Sequence, residues 1–578
     1  MLRLFNYLKG SAKVCAILAP LFMLLEVAMD LMQPTLLANI INIGVANADL
    51  TYVIKTGLLM LGAVLLGLVG GAGCSIFAAI AAMHLGESIR ESVFSKIQRL
   101  SFLDIDYFKA PSLITRVTND ITQIQQMVLL GLKLAIRAPL TCIGGIIMAY
   151  LLSPKLSIVF VIVIPIIIVI VCIVSYYSFP MFRKMQEKID RVNNVMRENL
   201  LGIRVIKAFT MENKRRHKFK DANEDLMQTS MKAQNITMVL MPIVMFLVNM
   251  SVIAVLWYGG VLTSRGELAT GNIMAFVNYL VQIMASVMMV VMVVINFSRA
   301  KASADRIGEV LDKETSIVDT QQPEKVEGWS VEFKNVSFKY FEKSEYVLEN
   351  ISFKAEAGQK IGIIGGTGSG KSSLVGLIPR LYDVTEGEVL IGGKNVKSLS
   401  LGDLRDQIGV VLQESILFSG TIEDNIQFGK DNATKEEIES ATQTAQAYEF
   451  IMNKPKGYED LVEQRGKNLS GGQKQRVSIA RTLIKKPHIL ILDDSSSALD
   501  MATERKLQKA IKERLGETTC FMIAQRISAI KDSDQIIVLD EGKISGIGTH
   551  EELIKENEIY RSIAISQLGE EEVGYGES

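Results

Sequence analysis

Residues 365–372 read GGTGSGKS and fit the pattern G-x-x-x-x-G-K-[ST] in full. That spacing builds a phosphate cradle. Gly365, Gly366, Gly368 and Gly370, with Thr367 and Ser369 between them, let backbone N–H groups converge on phosphate oxygens without Cβ obstruction. Lys371 is then placed to reach the outer phosphates and Ser372 to give a hydroxyl to Mg2+, with Ser373 next in line. A second glycine pair lies in LSGGQKQR at 469–476, where Ser470, Gly471, Gly472 and Gln473 offer further phosphate donors at a helix start. Four apolar residues, ILIL, then run into two adjacent acids, Asp493 and Asp494. Together these residues point to Mg2+-dependent handling of a nucleoside triphosphate.

The elements that position them are legible nearby. KIGII before the glycine loop suits a buried strand, and a helix is expected from about Lys371. VEFKNVSFKYF alternates as an edge strand would. The surrounding region is expected to be a mixed α/β layer structure with a helical subdomain carrying the LSGGQ segment. Before about residue 300 the character changes. Apolar stretches near 14–36, 53–83, 134–152, 156–178, 236–262 and 271–297 each match the ~20 residues that cross a ~30 Å hydrocarbon core. A hydrophobic content of 49% and a mean hydropathy of +0.26 agree with six spans. The expected architecture is an all-α six-helix membrane domain over 1–300, a linker over 301–325, an α/β nucleotide-binding domain over 326–565 and a disordered tail over 566–578.

Lys and Arg recur after the second and fourth spans, among them Arg90, Lys96, Arg99, Arg183, Arg204 and Arg215, whereas the opposite loops carry few. The positive-inside rule puts both termini in the cytoplasm. The start, MLRLFNYLKGSAK, lacks a small-residue cleavage pattern and reads as an anchor. Lys+Arg and Asp+Glu both number 62, which removes the charge argument for a nucleic-acid partner. The five cysteines have no CxxC spacing and read as packed thiols.

With a phosphate loop upstream and an apolar run ending in acids downstream, LSGGQKQR resembles the signature of ATP-binding cassette proteins, and the chain from about 10 to 565 resembles an exporter half-transporter. That resemblance implies further roles. Tyr340 in VSFKY resembles the aromatic that stacks on adenine, Gln413 in VVLQES the glutamine that touches Mg2+, and Asp493 the acid that holds the metal. SALD at 497–500, ending in Asp500, resembles the loop facing the opposite subunit. VEQRG at 462–466 matches the exporters' cross-contact segment less well, because Glu463 and Gln464 replace the usual Gly-Glu. The family binds two ATP molecules between two nucleotide domains, so one copy of each motif and six spans imply a dimer, with ATP and Mg2+ as cofactors.

Two departures from the family pattern adjoin the chemistry. Asp494 stands where a hydrolysing site normally has Glu, and is one methylene shorter; Gln525 in FMIAQRIS replaces the usual His beside the γ-phosphate. Gln donates a hydrogen bond but cannot become a cation. The pair implies a site that binds ATP and hydrolyses it poorly, the pattern of the degenerate subunit in heterodimeric bacterial exporters, whose partner keeps a competent site. A homodimer with working Asp-containing sites, or an ATP-gated channel or receptor subunit, are the alternatives.

Residues 111–118, PSLITRVT, and 201–209, LGIRVIKAF, resemble the family's short coupling helices. For substrate, Glu26 and Asp30 share one face of the first span and either attract cations, pair with Arg137 or line a gate. Met284, Met288, Met289 and Met292 offer adaptable apolar surface. With no protease-like segment before residue 10, peptide-processing exporters are disfavoured. The expected substrate is a drug or lipid-like amphiphile, moved across the cytoplasmic membrane of a bacterium, with membrane lipid as surroundings.

Overall fold

Long apolar runs fold here as long helices. The computed structural model describes residues 6–495 and 499–569. Its helices begin α1 (Ser11–Asn39), α2 (Leu50–Arg99), α3 (Phe102–Phe108), α4 (Ala110–Thr115) and α5 (Ile121–Leu152), the last two joined by a π-helical turn, Arg116–Asp120. They continue α6 (Ile158–Leu201), α7 (Ile203–Ala208), α8 (Glu212–Met238), α9 (Leu240–Ser264) and α10 (Thr270–Asp312). Among the described residues, six helical stretches are long and apolar enough to cross a membrane. At ~1.5 Å per residue, the 50-residue α2 is far longer than a ~30 Å core requires. Prolines 20, 34, 139, 165 and 180 sit inside these helices, which neighbouring helices make tolerable in a membrane.

The chain divides into two compact units. One comprises residues up to Gln98 together with Pro111–Lys313; the other joins Arg99–Ala110 to the chain from Glu314 onward. In the first, Phe276, Tyr279, Leu280 and Ile283 of α10 are fully buried, and Phe276 stacks on Phe160 with centroids 5.0 Å apart. The Tyr279 hydroxyl is satisfied by the Leu31 carbonyl at 2.6 Å and by Thr35 at 2.8 Å. Many apolar side chains on the outer faces, Leu58, Leu65 and Leu68 among them, stay exposed, as a lipid-facing surface requires. Cys172 is exposed as well, correcting its reading as a packed thiol; all five cysteines are free.

The second unit contains α3. Ser101 caps it, accepting from the Asp104 N–H while the Asp104 carboxylate accepts from the Ser101 N–H at 3.1 Å. The same carboxylate takes bonds from the Ser316 N–H at 3.0 Å and hydroxyl at 2.6 Å. Asp106 accepts from the Tyr382 hydroxyl at 3.2 Å. This corrects the expectation for 111–118: the short helix that packs on the nucleotide unit is 102–108, while 111–118 lies in α4 and the π turn of the other unit. The S-x-x-D box at 101–104 was the available signal. A separate short helix, α7, stands within 201–209.

Among the described residues, nine strands build the nucleotide unit's two larger sheets, apart from a two-residue edge at Lys394–Asn395: β1 (Val331–Phe338), β2 (Leu348–Ala355), β3 (Lys360–Gly365), β4 (Glu386–Ile391), β5 (Ile408–Val411), β6 (Ile489–Asp493), β7 (Thr519–Ile523), β8 (Gln535–Asp540) and β9 (Lys543–Gly548). β1 pairs antiparallel with β2 on one side and β4 on the other. It is therefore interior, not the expected edge; its alternation reflects one face on the core and one outward. The larger sheet runs β9-β8-β3-β7-β6-β5, with only β9 antiparallel. Its central strands are buried along their length, the mark of a sheet covered on both faces. α10 runs to Asp312, so the stretch from 301 begins in helix. A helix at Glu558–Leu568 enters the stretch expected to be a tail; 570–578, like Ser497 and Ala498 of SALD, lies outside the described residues.

Candidate functional site

The expected nucleotide residues converge at the carboxyl ends of adjacent parallel strands, where doubly wound sheets bind ligands. The glycine loop leaves β3, Asp493 ends β6, Gln525 follows β7 and Gln413 follows β5. Register fixes their proximity: Ile523 pairs with both Ile363 and Asp493, and Val411 with Leu492. Two glycines are required by geometry. A Cβ at Gly365 would lie 2.1 Å from the Leu539 carbonyl oxygen, and Gly370, at φ 93°, would press on Val347 and Leu348. α11 (Lys371–Leu377) starts directly after Gly370.

Lys371 curls back onto its own loop, its Nζ donating to the carbonyls of Gly365 at 3.0 Å and Gly366 at 2.6 Å. Burial holds its ammonium below the usual lysine range, so an anion arriving here is strongly favoured. The Ser372 hydroxyl donates to Asp493 Oδ1 at 3.0 Å, bringing two hard oxygens together. Among the described residues no three His, Cys, Asp or Glu side chains cluster to hold a metal. One carboxylate and one hydroxyl suit Mg2+, which completes its shell with water and phosphate.

Asp493 is 7% exposed and Asp494 6%. Burial raises both carboxyls above the ordinary aspartate range. Asp494 has a left-handed backbone, φ 47°, with its N–H bonded to the Ile523 carbonyl at 3.1 Å. Strain of this kind concentrates at functional sites. Its Oδ2 accepts from Gln525 Nε2 at 2.7 Å and Gln413 Nε2 at 3.4 Å. Gln475 Nε2 also reaches the Asp494 carbonyl at 3.5 Å, a contact that sequence reading missed because nothing in its spacing marks it.

Other expected residues lie apart from this cluster. The Tyr340 hydroxyl bonds Ser373 Oγ at 2.8 Å, and its ring sits edge-on to Phe338 and Tyr382. Ser470 caps α12 (Gly471–Leu483) in a reciprocal box with Gln473, leaving Ser470 and Gly471 exposed. Asp500 caps α13 (Met501–Arg514) through the Thr503 N–H at 2.9 Å. In the membrane unit, Arg137 bonds Glu26 at 2.6 Å and Asp30 at 2.9 Å, bringing all three together. Met284 is sealed in the core and Met288 packs against it, so Met284 offers no free surface in this chain.

Family comparisons agree with this geometry. Residues 16–287 match the ABC transporter transmembrane region and 348–497 the ABC transporter family. The chain is 40% identical over 578 residues, covering 99% of each, to an uncharacterized ABC transporter ATP-binding protein, YfiB, of Bacillus subtilis (strain 168). The chain is an ATP-binding cassette transporter. Another relative of this ABC transporter, 34% identical over 82% of each chain, is the putative multidrug export ATP-binding/permease protein YgaD of the same organism. A solved bacterial Atm1-family ABC exporter with ATP bound superposes on it with a TM-score of 0.82 at 26% identity, covering 96% of this chain and 99% of that one. It is thus an ATP-hydrolysing transporter of the exporter fold, six apolar helices followed by an α/β nucleotide-binding domain, and a multipass membrane protein.

Proposed function

We propose that this chain is one subunit of an ATP-driven exporter of drugs or lipid-like amphiphiles in a bacterial cytoplasmic membrane, and that its own site binds ATP and Mg2+ yet hydrolyses slowly. Its partner is a second half-transporter whose competent site does most of the turnover. One observation carries this reading: the acid at the base position, Asp494, is short and clamped on one oxygen by the neutral amides of Gln525 and Gln413.

When bound, Mg2+ and ATP supply the metal charge and the anhydride to be cleaved. Lys371 exchanges the Gly365 and Gly366 carbonyls for phosphate oxygens. Ser372 and Asp493 would hold the metal, with Gln413 at hand to join them, and Tyr340 would receive the base. The exposed Ser470, Gly471, Gly472 and Gln473 end of α12 is free to complete the partner's site, with Asp500 beside it. Asp494 must come within about 2.6–3.2 Å of a water to take its proton, and losing positioned acid–base help costs roughly 10²- to 10⁴-fold.

A homodimer that turns over is favoured by one opposing fact: burial makes Asp494 a stronger base than an ordinary aspartate. Steady-state hydrolysis by the purified chain alone, with assembly and ATP binding checked in the same sample, separates the two. Turnover near the ordinary enzyme scale of about 1–10 per second would overturn the degenerate-site reading; negligible turnover with intact ATP binding supports it.

A further inference from the structure

Where the π-helical turn Arg116–Asp120 meets α10, four charged side chains interlock. Asp120, 3% exposed, accepts from Ser303 Oγ at 2.9 Å and from Arg306 Nε at 2.8 Å, and a second Arg306 nitrogen reaches its other oxygen. Arg116, 8% exposed, donates to the Arg306 carbonyl at 2.7 Å and pairs with Glu309 at 2.8 Å. Higher up the same two helices, a Cβ at Gly145 would lie 2.8 Å from Ile283. The pairings 116 with 309, 120 with 306 and 145 with 283 place α5 and α10 antiparallel in one register.

The order of charges makes that register exclusive. Along the π turn it is positive then negative; along α10 it is positive at 306 and negative at 309. A slip of one helical turn in one direction sets Arg116 against Arg306. A slip in the other sets Asp120 against Glu309. Either slip also parts the buried Asp120 carboxylate from the Arg306 guanidinium that now grips both its oxygens, and breaking a buried ion pair is strongly destabilising. Buried ion pairs often add little net stability over an apolar equivalent, and fixing registry is their best-attested use. The site lies past the apolar stretch of α10, which runs in the sequence to about 297, and shortly before Asp312, where that helix ends.

We propose that Arg116, Asp120, Arg306 and Glu309 form a register lock that makes α5 and α10 move as a single lever through the ATP cycle. One-turn ratchets between packed helices are a known mode of conformational change, and this network forbids that mode here. Force entering α10 at its Asp312 end then reaches α5 without loss to sliding. The inference holds whether or not the Asp494 site turns over.

The test is a spin-label distance measurement in the full-length assembled transporter, with native cysteines replaced and labels on Asn119→Cys and Lys301→Cys, both exposed positions. Wild-type charges should give one interhelical distance with and without Mg2+ and ATP. The double variant Asp120→Arg with Arg306→Asp keeps opposite charges facing in the native register, yet turns both like-charge clashes into attractions. It should add a second population displaced by about one turn, ~5 Å, in at least one nucleotide state. A single unchanged distance in that variant, or a one-turn shift with the native charges, overturns the lock. If the double variant fails to assemble, Asp120→Asn with Arg306→Gln decides alone: it removes both like-charge clashes and leaves no buried charge at 120 or 306 to lose its partner, so a second population is expected and its absence overturns the proposal.

Discussion

Two pairs of acids in this molecule meet opposite fates. In the nucleotide unit, Asp493 and Asp494 are almost fully buried and accept hydrogen bonds from the neutral side chains of Ser372, Gln413 and Gln525. In the membrane unit, Glu26 and Asp30 share one guanidinium, Arg137, which bonds each of them. The first pair lies beside the phosphate loop, where the proposed Mg2+ would bring a cation. The second is largely completed by the chain itself, because in hydrocarbon an uncompensated carboxylate has nowhere to be solvated. Neutral amides and a hydroxyl thus bond the first pair, while a single guanidinium bonds both acids of the second.

That contrast is broken most directly by exchanging hydrolytic competence. Asp494→Glu combined with Gln525→His should raise this chain's hydrolysis by roughly 10²- to 10⁴-fold, measured as phosphate release with the partner site disabled. No increase would mean that the geometry around Asp494, rather than its length and its clamp, limits the site.

Removing the cation on each side is the next largest contrast. Lys371→Ala should weaken ATP binding by about 10- to 100-fold, the worth of charge-assisted hydrogen bonds to phosphate, in equilibrium titration. Partner-site turnover should persist and the melting temperature without nucleotide should hold, since Lys371 has only loop carbonyls and the Ser369 hydroxyl to lose. Arg137→Ala should do the reverse, costing about 3 kcal/mol of stability in a lipid-embedded melting experiment while leaving ATP affinity intact. Glu26→Gln and Asp30→Asn added to Arg137→Ala should recover much of that loss.

A third acid sharpens the point with the smallest effect. Asp104 is also held by neutral donors, but it has the Ser316 and Ser101 hydroxyls and N–H groups around it. Burial pushes its carboxyl up, and those bonds together outweigh it, so the net shift is downward. A depressed folded-state value contributes stability that is present above the unfolded value of ~3.9 and lost as pH falls through the folded one. Asp104→Asn should therefore destabilise the protein near neutral pH, and the gap from wild type should close below about pH 4 in denaturant melts.

The phosphate loop was readable because its chemistry is local: eight consecutive residues set their own backbone, so Gly365 to Ser372 needed no distant partner to be recognised. Six spans were readable for a similar reason, since hydrocarbon thickness dictates apolar length. The edge assignment of β1 failed because alternation reports which face is buried and says nothing of how many neighbours a strand has. Family likeness pointed to 111–118 for the first short helix, whereas the Ser101–Asp104 cap marks a separate helix start just before it.

What the sequence by itself determined about this transporter is the inventory: a nucleotide cradle, six apolar spans, and an acid and a glutamine at the two positions nearest the chemistry. Only the tertiary structure decided which side chains meet. Arg137 lies more than a hundred residues from Glu26, and Arg306 nearly two hundred from Asp120; no local pattern announces such pairs. Periodicity encodes a residue's face, whereas the register between distant helices is set by close packing and by the cost of leaving a buried charge unpaired.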